Sequence, residues 1–408
     1  MTILNKETLY YLGTPGGRGE PYKEIRNDTF VWQSYEDSED LFYCYEFDNH
    51  GAFIAFPLDT LLKEEQLNQI RTGEASLVVS NSHEAFHYLV PTLYKLLAVQ
   101  HNIPPENIIL ISESADIASH IKKVSSELNM GEFRSRWIRR FEYDIQVNRF
   151  IMGFDGPPVT NGLPGKRLPE PVTLESKQYD KKFLCFNRRW RGNRTVLVSL
   201  LHSLDLLKYG HVSLGKSDDN RDWHTAANRG KYFMDHNPDV AVLLDNIHKE
   251  LLTSFPELYL DSDDLVTNRA ILDASTNYLY NETYFSVVTE TFFFKKERPD
   301  DYGRFLSEKT FKPVAMRHPF IIVSTPNFLD KFKEIGYKSF SPWINEDYDK
   351  EHDDAARMMM IVKEIERLSN LSPNDLEDFL VAMRDICEHN YQLLKNKKLH
   401  EFHTDLCT

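Results

Sequence analysis

Four arginines fall within seven residues in LCFNRRWRGNRTVLVSLL, where Arg188, Arg189, Arg191 and Arg194 sit between a strand-like apolar run and a segment with helical spacing. Planar guanidinium forks match phosphate oxygens, and a helix N-terminus adds free N–H groups and the positive end of a dipole. Such a turn suits a diphosphate; a solvated basic turn has the same composition. A second segment, Ser307-Glu308-Lys309-Thr310, opens a helix that runs past Pro313 toward an apolar strand. A carboxylate at a helix start can take two hydroxyls of a ribose, and the lysine beside it can reach a phosphate. A serine N-cap followed by an acidic first turn is also an ordinary helix start.

Transfer of a group onto a hydroxyl needs a base, and Asp, Glu or His at the carboxyl end of a strand is placed for that work. SNSHEAFH supplies His83 and Glu84 after SLVVS, and SESAD supplies Glu113 and Asp116 after IILIS. Each also fits a plainer role, as a helix-start carboxylate or a capping or surface histidine. Asp261-Ser262-Asp263 has the DxD form that holds a divalent cation through oxygen ligands. Its place in an acidic stretch deep in the second half favours a solvated loop, and no metal is expected. FRSRWIRRF interleaves Arg134, Arg136, Arg139 and Arg140 with aromatic residues. Nucleic-acid surfaces carry that combination, as do solvated positive faces. The run Tyr284, Phe285, Phe292, Phe293 and Phe294 reads as sheet core.

These groups need a scaffold. Apolar runs of strand length alternate with helix-periodic segments, the pattern of βα units around a parallel sheet. The spacing predicts strands at 9–13, 41–47, 53–56, 76–80 and 108–112, with helices at 59–72, 84–101 and 115–128. GFDGPPVTNGLPGKRLPEP (153–171) packs proline and glycine with almost no periodicity and predicts a domain boundary, giving domains 1–165 and 166–408. Beyond it the pattern restarts. Strands are predicted at 182–186, 211–215, 283–294, 319–324 and 337–340, and helices at 192–208, 239–254, 268–281, 306–317, 326–335, 350–369 and 373–398. Gly13, Gly16, Gly17 and Gly19 follow the first strand but depart from GxGxxG, and no P-loop is present, so dinucleotide and NTPase readings have little support.

With 408 residues, 41% hydrophobic and 27% charged, the chain has the size and composition of a two-domain globular protein. The net charge of -14 repels polyanions overall, yet residues 131–200 hold 14 Lys+Arg against 7 Asp+Glu, so an anionic ligand should sit near that stretch. The four cysteines are far apart and signal neither a disulfide framework nor a zinc site. No leader or apolar stretch of roughly 20 residues is seen, so a cytoplasmic protein is expected, in the host cytoplasm if it is viral.

The paired segments NRRWRGNR and SEKTFKP, over roughly residues 181–345, resemble the donor site of GT-B glycosyltransferases, most specifically of the alpha-1,3-fucosyltransferase family. In that family a strand ending in Asn precedes a donor-phosphate Arg, as Asn187 precedes Arg194. A later acidic or amide pair corresponds to Thr289-Glu290, where this chain has no "EN", and a Glu-Lys pair opens the next helix as Glu308-Lys309 does. The resemblance implies Arg194 with Arg188 on the diphosphate, Glu290 in the donor site, Glu308 on the ribose and Lys309 on a phosphate. It also implies an α/β fold of GT-B type: two Rossmann-like domains facing a cleft, with C-terminal helices, the first on the acceptor side and the second on the donor side. The implied donor is a nucleoside diphosphate sugar, first of all a UDP-sugar, with no tightly bound cofactor.

The whole chain, including LYYLGTPGGRGEPYKE, also resembles the sugar transferases of T-even-like bacteriophages, which add glucose or arabinose to hydroxymethylcytosine in DNA. That implies a double-stranded DNA acceptor, with Arg136, Arg139 and Arg140 as its phosphate contacts. Transfer to lipopolysaccharide or capsule glycan is the alternative, and a non-catalytic nucleotide-sugar or nucleic-acid binding protein is a further one.

Overall fold

The computed structural model describes residues 9–11, 41–46, 58, 62–81, 89–146, 150, 179, 181–187, 191–214, 277–294 and 303–402. The chain forms two compact units, Met1–Arg140 with Lys397–Thr408, and Phe141–Asn396. The stretch 153–171, with its expected boundary, lies outside the described residues, as do the expected strand 53–56 and helix 239–254.

The first unit is built on five parallel strands in sequential order: β1 (Leu9–Tyr11), β2 (Leu41–Glu46), β3 (Ala75–Asn81), β4 (Ile108–Ser112) and β5 (Arg134–Trp137). Parallel strands need crossovers. Those described are α1 (Glu64–Thr72), α2 (Val90–Leu93, continuing as a π-helix over Tyr94–Gln100) and α3 (Ile117–Leu128). All five residues of β4 are buried, as a central parallel strand made of Ile and Leu requires. Helix α1 ends on Gly73, whose φ of 81° is left-handed and free of strain only without a Cβ.

In the second unit the sheet order is β7-β6-β8-β9, again all parallel: β6 (Phe183–Cys185), β7 (Gly210–Val212), β8 (Phe285–Thr289) and β9 (Phe320–Val323). The chain runs outward from β6 through helix α5 (Gly192–Ser203) to β7, then resumes on the other side of β6 with β8, helix α6 (Glu308–Ala315) and β9. Strand order therefore reverses between β6 and β8, and in open α/β sheets that switch point opens a crevice at the strands' carboxyl ends. Both units are thus Rossmann-like α/β structures.

Helix α4 (Arg140–Gln146) starts at the division between the units. The amide of Gln146 donates to the Leu394 carbonyl at 2.9 Å, tying α4 to the last helix of the second unit. That unit also holds α7 (Phe328–Glu334), α8 (Asp354–Ser369) and α9 (Pro373–Asn396). Arg357 of α8 is fully buried. Its guanidinium pairs with Asp354 of the same helix at 2.7 Å, which neutralises the charge, and donates to the carbonyls of Ser324, Glu351 and Phe293, which fixes the loops that hold them. The aromatic run behaves as core: Tyr284, Phe285, Phe293 and Phe294 are buried, although the strand covers only 285–289.

Residues 337–340, expected as a strand, are irregular. Their backbone groups are met by side chains instead of a neighbouring strand. Asn390 accepts from Lys338 N–H and donates to Lys338 C=O, both at 2.8 Å, and Glu346 accepts from Phe340 N–H at 2.7 Å. Asn390→Ala is expected to cost about 1–2 kcal/mol, since two half-buried backbone groups lose their partner. Thermal or urea unfolding of the variant checks this, and a change below experimental error would show that water replaces the amide.

Candidate functional site

The carboxyl ends of β6 and β8 bring together residues far apart in sequence. After β6, buried Asn187 accepts from the Thr289 hydroxyl at 2.7 Å and donates to the Cys185 sulfur at 3.2 Å, joining the two strand ends across the switch point. Burial pushes the Cys185 thiol up to about 12, so it packs as an apolar group. Arg191 then occupies the exposed N-cap position of α5, and the helix behind it is buried from Gly192 to Leu201. Two polar residues of its first turn reach across to the end of β8. Asn193 donates to the Glu290 carbonyl at 3.2 Å, and the Arg194 guanidinium lies against the Thr289 carbonyl at 3.4 Å.

Arg194 is only 4% exposed. Burial, then the neighbouring charge of Arg191, lower its pKa to about 10, while Glu308, Glu290 and Cys185 act in the opposite direction. The group stays charged at neutral pH although it gives up hydration, with the carboxylates of Glu308 and Glu290 acting to keep it protonated.

From β8 the chain continues to Glu290, a fully buried carboxylate, and returns at Ser307, the N-cap of α6. Ser307 Oγ donates to Glu290 at 2.7 Å and accepts from Lys309 N–H at 3.3 Å. The Lys309 ammonium, 23% exposed, donates to Ser307 Oγ at 2.6 Å and to Glu308 at 3.2 Å and lies 3.7 Å from Glu290. For Glu308, burial acts to raise the carboxyl pKa, but the charges of Lys309 and Lys312 and the hydrogen bond from Lys309 outweigh it and hold the pKa below the usual value. An ionised carboxylate and an ammonium thus stand side by side at a helix N-terminus, able to accept from hydroxyls and to donate to an anion. Arg188 and Asp261–Asp263 lie outside the described residues. Asn193, which reaches the Glu290 carbonyl from the first turn of α5, is a residue of this strand end that the sequence motifs miss.

In the first unit, Glu113 and Asp116 are buried just beyond β4. Glu113 accepts from Arg140 N–H at 2.9 Å, and its own carbonyl accepts from the Trp137 indole at 3.2 Å. Asp116 holds the N-cap position of α3 without making the usual side-chain cap bond. His83, Glu84 and the loop of Gly13, Gly16, Gly17 and Gly19 lie outside the described residues. Arg136 and Arg139 of FRSRWIRRF, expected as phosphate contacts to DNA or else as part of a solvated basic face, are buried. Residues 134–137 form β5, where Arg136 is 3% exposed; beyond it Arg139 is 6% exposed and stacks 5.1 Å over Trp137, while Arg134 and Arg140 are half-buried. The alternation Arg-Ser-Arg-Trp looks polar as a string, but the arginines' long apolar stems can be covered within a sheet. Among the described residues no group of three or more His, Cys, Asp or Glu could hold a metal, and no helix is long and apolar enough to cross a membrane.

No family model matches the chain, and no curated protein matches it in sequence. Among solved structures the chain is similar to the N-terminal domain of trehalose-6-phosphate phosphatase from Candida albicans, with a TM-score of 0.40 and 10% identity over 86% of this chain and 68% of that one. It is also similar to a trehalose-6-phosphate synthase studied with bisubstrate glycomimetics of glycosyltransfer with retention, with a TM-score of 0.39 and 8% identity over 88% of this chain and 73% of that one.

Proposed function

We propose that this chain is a glycosyltransferase of GT-B type that moves a sugar from a nucleoside diphosphate donor, a UDP-sugar first of all, to a hydroxyl acceptor. The observation that supports it is the meeting of Arg194, Glu308 and Lys309 at the switch point between β6 and β8, where the charge of Glu308 acts on the buried Arg194 guanidinium. In this reading Arg194, with Arg188, holds the diphosphate, Lys309 holds a phosphate and Glu308 the ribose. The base that accepts the acceptor's proton is sought among Glu113, Asp116, His83 and Glu84.

DNA as the acceptor called for an exposed basic face, and the burial of Arg136 and Arg139 takes away that support. A glycan hydroxyl is the acceptor class carried forward. The test combines calorimetric titration of UDP, GDP, CDP and ADP with mass spectrometry of products from the corresponding sugar nucleotides, offered glycan acceptors and DNA with or without hydroxymethylcytosine. Donor turnover with sugar added to a glycan is the expected result. Sugar mass on hydroxymethylcytosine would restore the DNA acceptor; binding without turnover on any pair would leave a nucleotide-sugar binding protein. Lys309→Ala is expected to weaken diphosphate binding only severalfold, because a partly exposed ammonium is screened by water. Titration of the same nucleotides checks it, and an unchanged affinity would remove Lys309 from the phosphate site.

A further inference from the structure

We propose that Glu290 is a positioning residue which, from the carboxyl end of β8, locks the first turn of α6 so that Glu308 meets a ribose, and that it thereby sets the preference for ribonucleoside over deoxyribonucleoside diphosphates. This rests on the donor-site reading above. The Glu290 carboxylate is fully buried and accepts four hydrogen bonds: from Thr291 N–H and Ser307 N–H, each at 3.1 Å, from Ser307 Oγ at 2.7 Å and from Thr310 Oγ1 at 2.6 Å. Two oxygens offer about four lone-pair sites, so the chain's own donors fill them and Glu290 has no capacity left for a ligand. Three of the four donors belong to the start of α6, so the carboxylate fixes that helix end to the sheet.

The bonds also impose direction. Ser307 has one hydroxyl proton, and Glu290, an acceptor only, takes it. The lone pairs of Ser307 are thereby turned to the backbone and side-chain nitrogens of Lys309. Lys309 in turn donates to Glu308. Glu290 thus acts on the ligand groups through Ser307 and Lys309 without touching the ligand. Glutamine has the same volume but presents an NH2 where two of the four donors point, so the first turn of α6 must shift.

The experiment titrates the protein with UDP and 2′-deoxy-UDP, with GDP and 2′-deoxy-GDP alongside, and with inorganic pyrophosphate. The unmodified chain is expected to prefer the ribonucleotide by about 10-fold or more, the scale of hydrogen bonds to a charged group. In Glu290→Gln, as in Glu308→Gln, that preference is expected to fall to about twofold or less, while pyrophosphate affinity falls no further than in Lys309→Ala. Thr310→Val removes one donor and keeps the charge; an intermediate preference is expected, and this variant decides the matter if Glu290→Gln does not fold. Ile361→Val, a core change on α8, serves as a destabilised control, and its preference should stay at the starting value, which a purely stabilising role for Glu290 would also predict of the Glu290 variants. Full preference retained in folded Glu290 and Thr310 variants overturns the inference alone. Absence of nucleotide binding in the unmodified chain overturns the donor-site reading, and this inference with it.

Discussion

Replacing Arg194 with alanine is expected to weaken nucleoside diphosphate binding about 10- to 150-fold, the equivalent of the 1.5–3 kcal/mol typical of hydrogen bonds to charged groups. The effect should exceed that of Lys309→Ala because Arg194 is buried beside the β8 carboxyl end, where solvent screens it least. Arg194→Lys is not expected to restore affinity. A lysine lacks the planar fork that engages two phosphate oxygens at once, and an ammonium is harder to desolvate than a guanidinium. Calorimetric titration, with circular dichroism to confirm folding, measures this. Unchanged affinity in a folded Arg194→Ala protein would remove the site from the β6–β8 crevice.

The second large effect is on stability against pH and arises at His318, away from the donor groups. His318 is buried. Its Nδ1 accepts from Ser286 Oγ at 2.8 Å and its Nε2–H donates to the Thr283 carbonyl at 2.9 Å, an arrangement that holds the neutral ring. Burial lowers its pKa from 6.5 to about 4, with the Thr283 hydrogen bond acting in the opposite direction. Between those values the unfolded chain binds a proton that the folded chain does not. The stabilisation is therefore complete above pH 6.5 and is lost as pH falls toward 4. The loss is about 3 kcal/mol, since each tenfold difference in proton affinity between the folded and unfolded chain is worth about 1.4 kcal/mol.

Asp349 works the other way. Its carboxylate, accepting from Leu329 N–H at the start of α7, is raised from 3.8 to about 6, first of all by burial. The folded state then binds the extra proton, and stability is gained as pH falls from about 6 to 3.8. The two groups nearly offset in the unmodified protein, so a single pH profile hides both. Urea unfolding of His318→Gln is expected to show lower stability than the parent at about pH 7 and a smaller deficit at about pH 4.5. A deficit independent of pH would show that folding does not shift the His318 pKa, against the burial argument.

Much of this architecture is legible in the chain itself. IILIS reads as a buried strand because its first four residues are all Ile or Leu, and the stop at Pro104-Pro105 precedes it. The apolar spacing of 354–369 and 373–396 matches two long helices, since a 3.6-residue period leaves little else for such stretches to form. Ser307 announces the start of α6 through local capping chemistry that needs no distant partner.

Wherever a residue's partner is remote in sequence, local pattern is silent or misleading. YKSF reads as a strand, but Asn390, 52 residues away from Lys338, satisfies its backbone instead. FRSRWIRRF reads as a charged surface because composition carries no information about cover, and only the sheet shows Arg136 buried in β5. Glu290 is legible as an acidic residue after a strand. That its carboxylate is consumed by Ser307 and Thr310 follows from the β8–α6–β9 crossover, which returns the chain to the strand end it has just left. Composition, capping and periodicity are short-range properties, and a sequence displays them directly. The direction of a buried hydrogen bond and the burial of a charge depend on which segments the topology makes neighbours, and only the tertiary structure decides that.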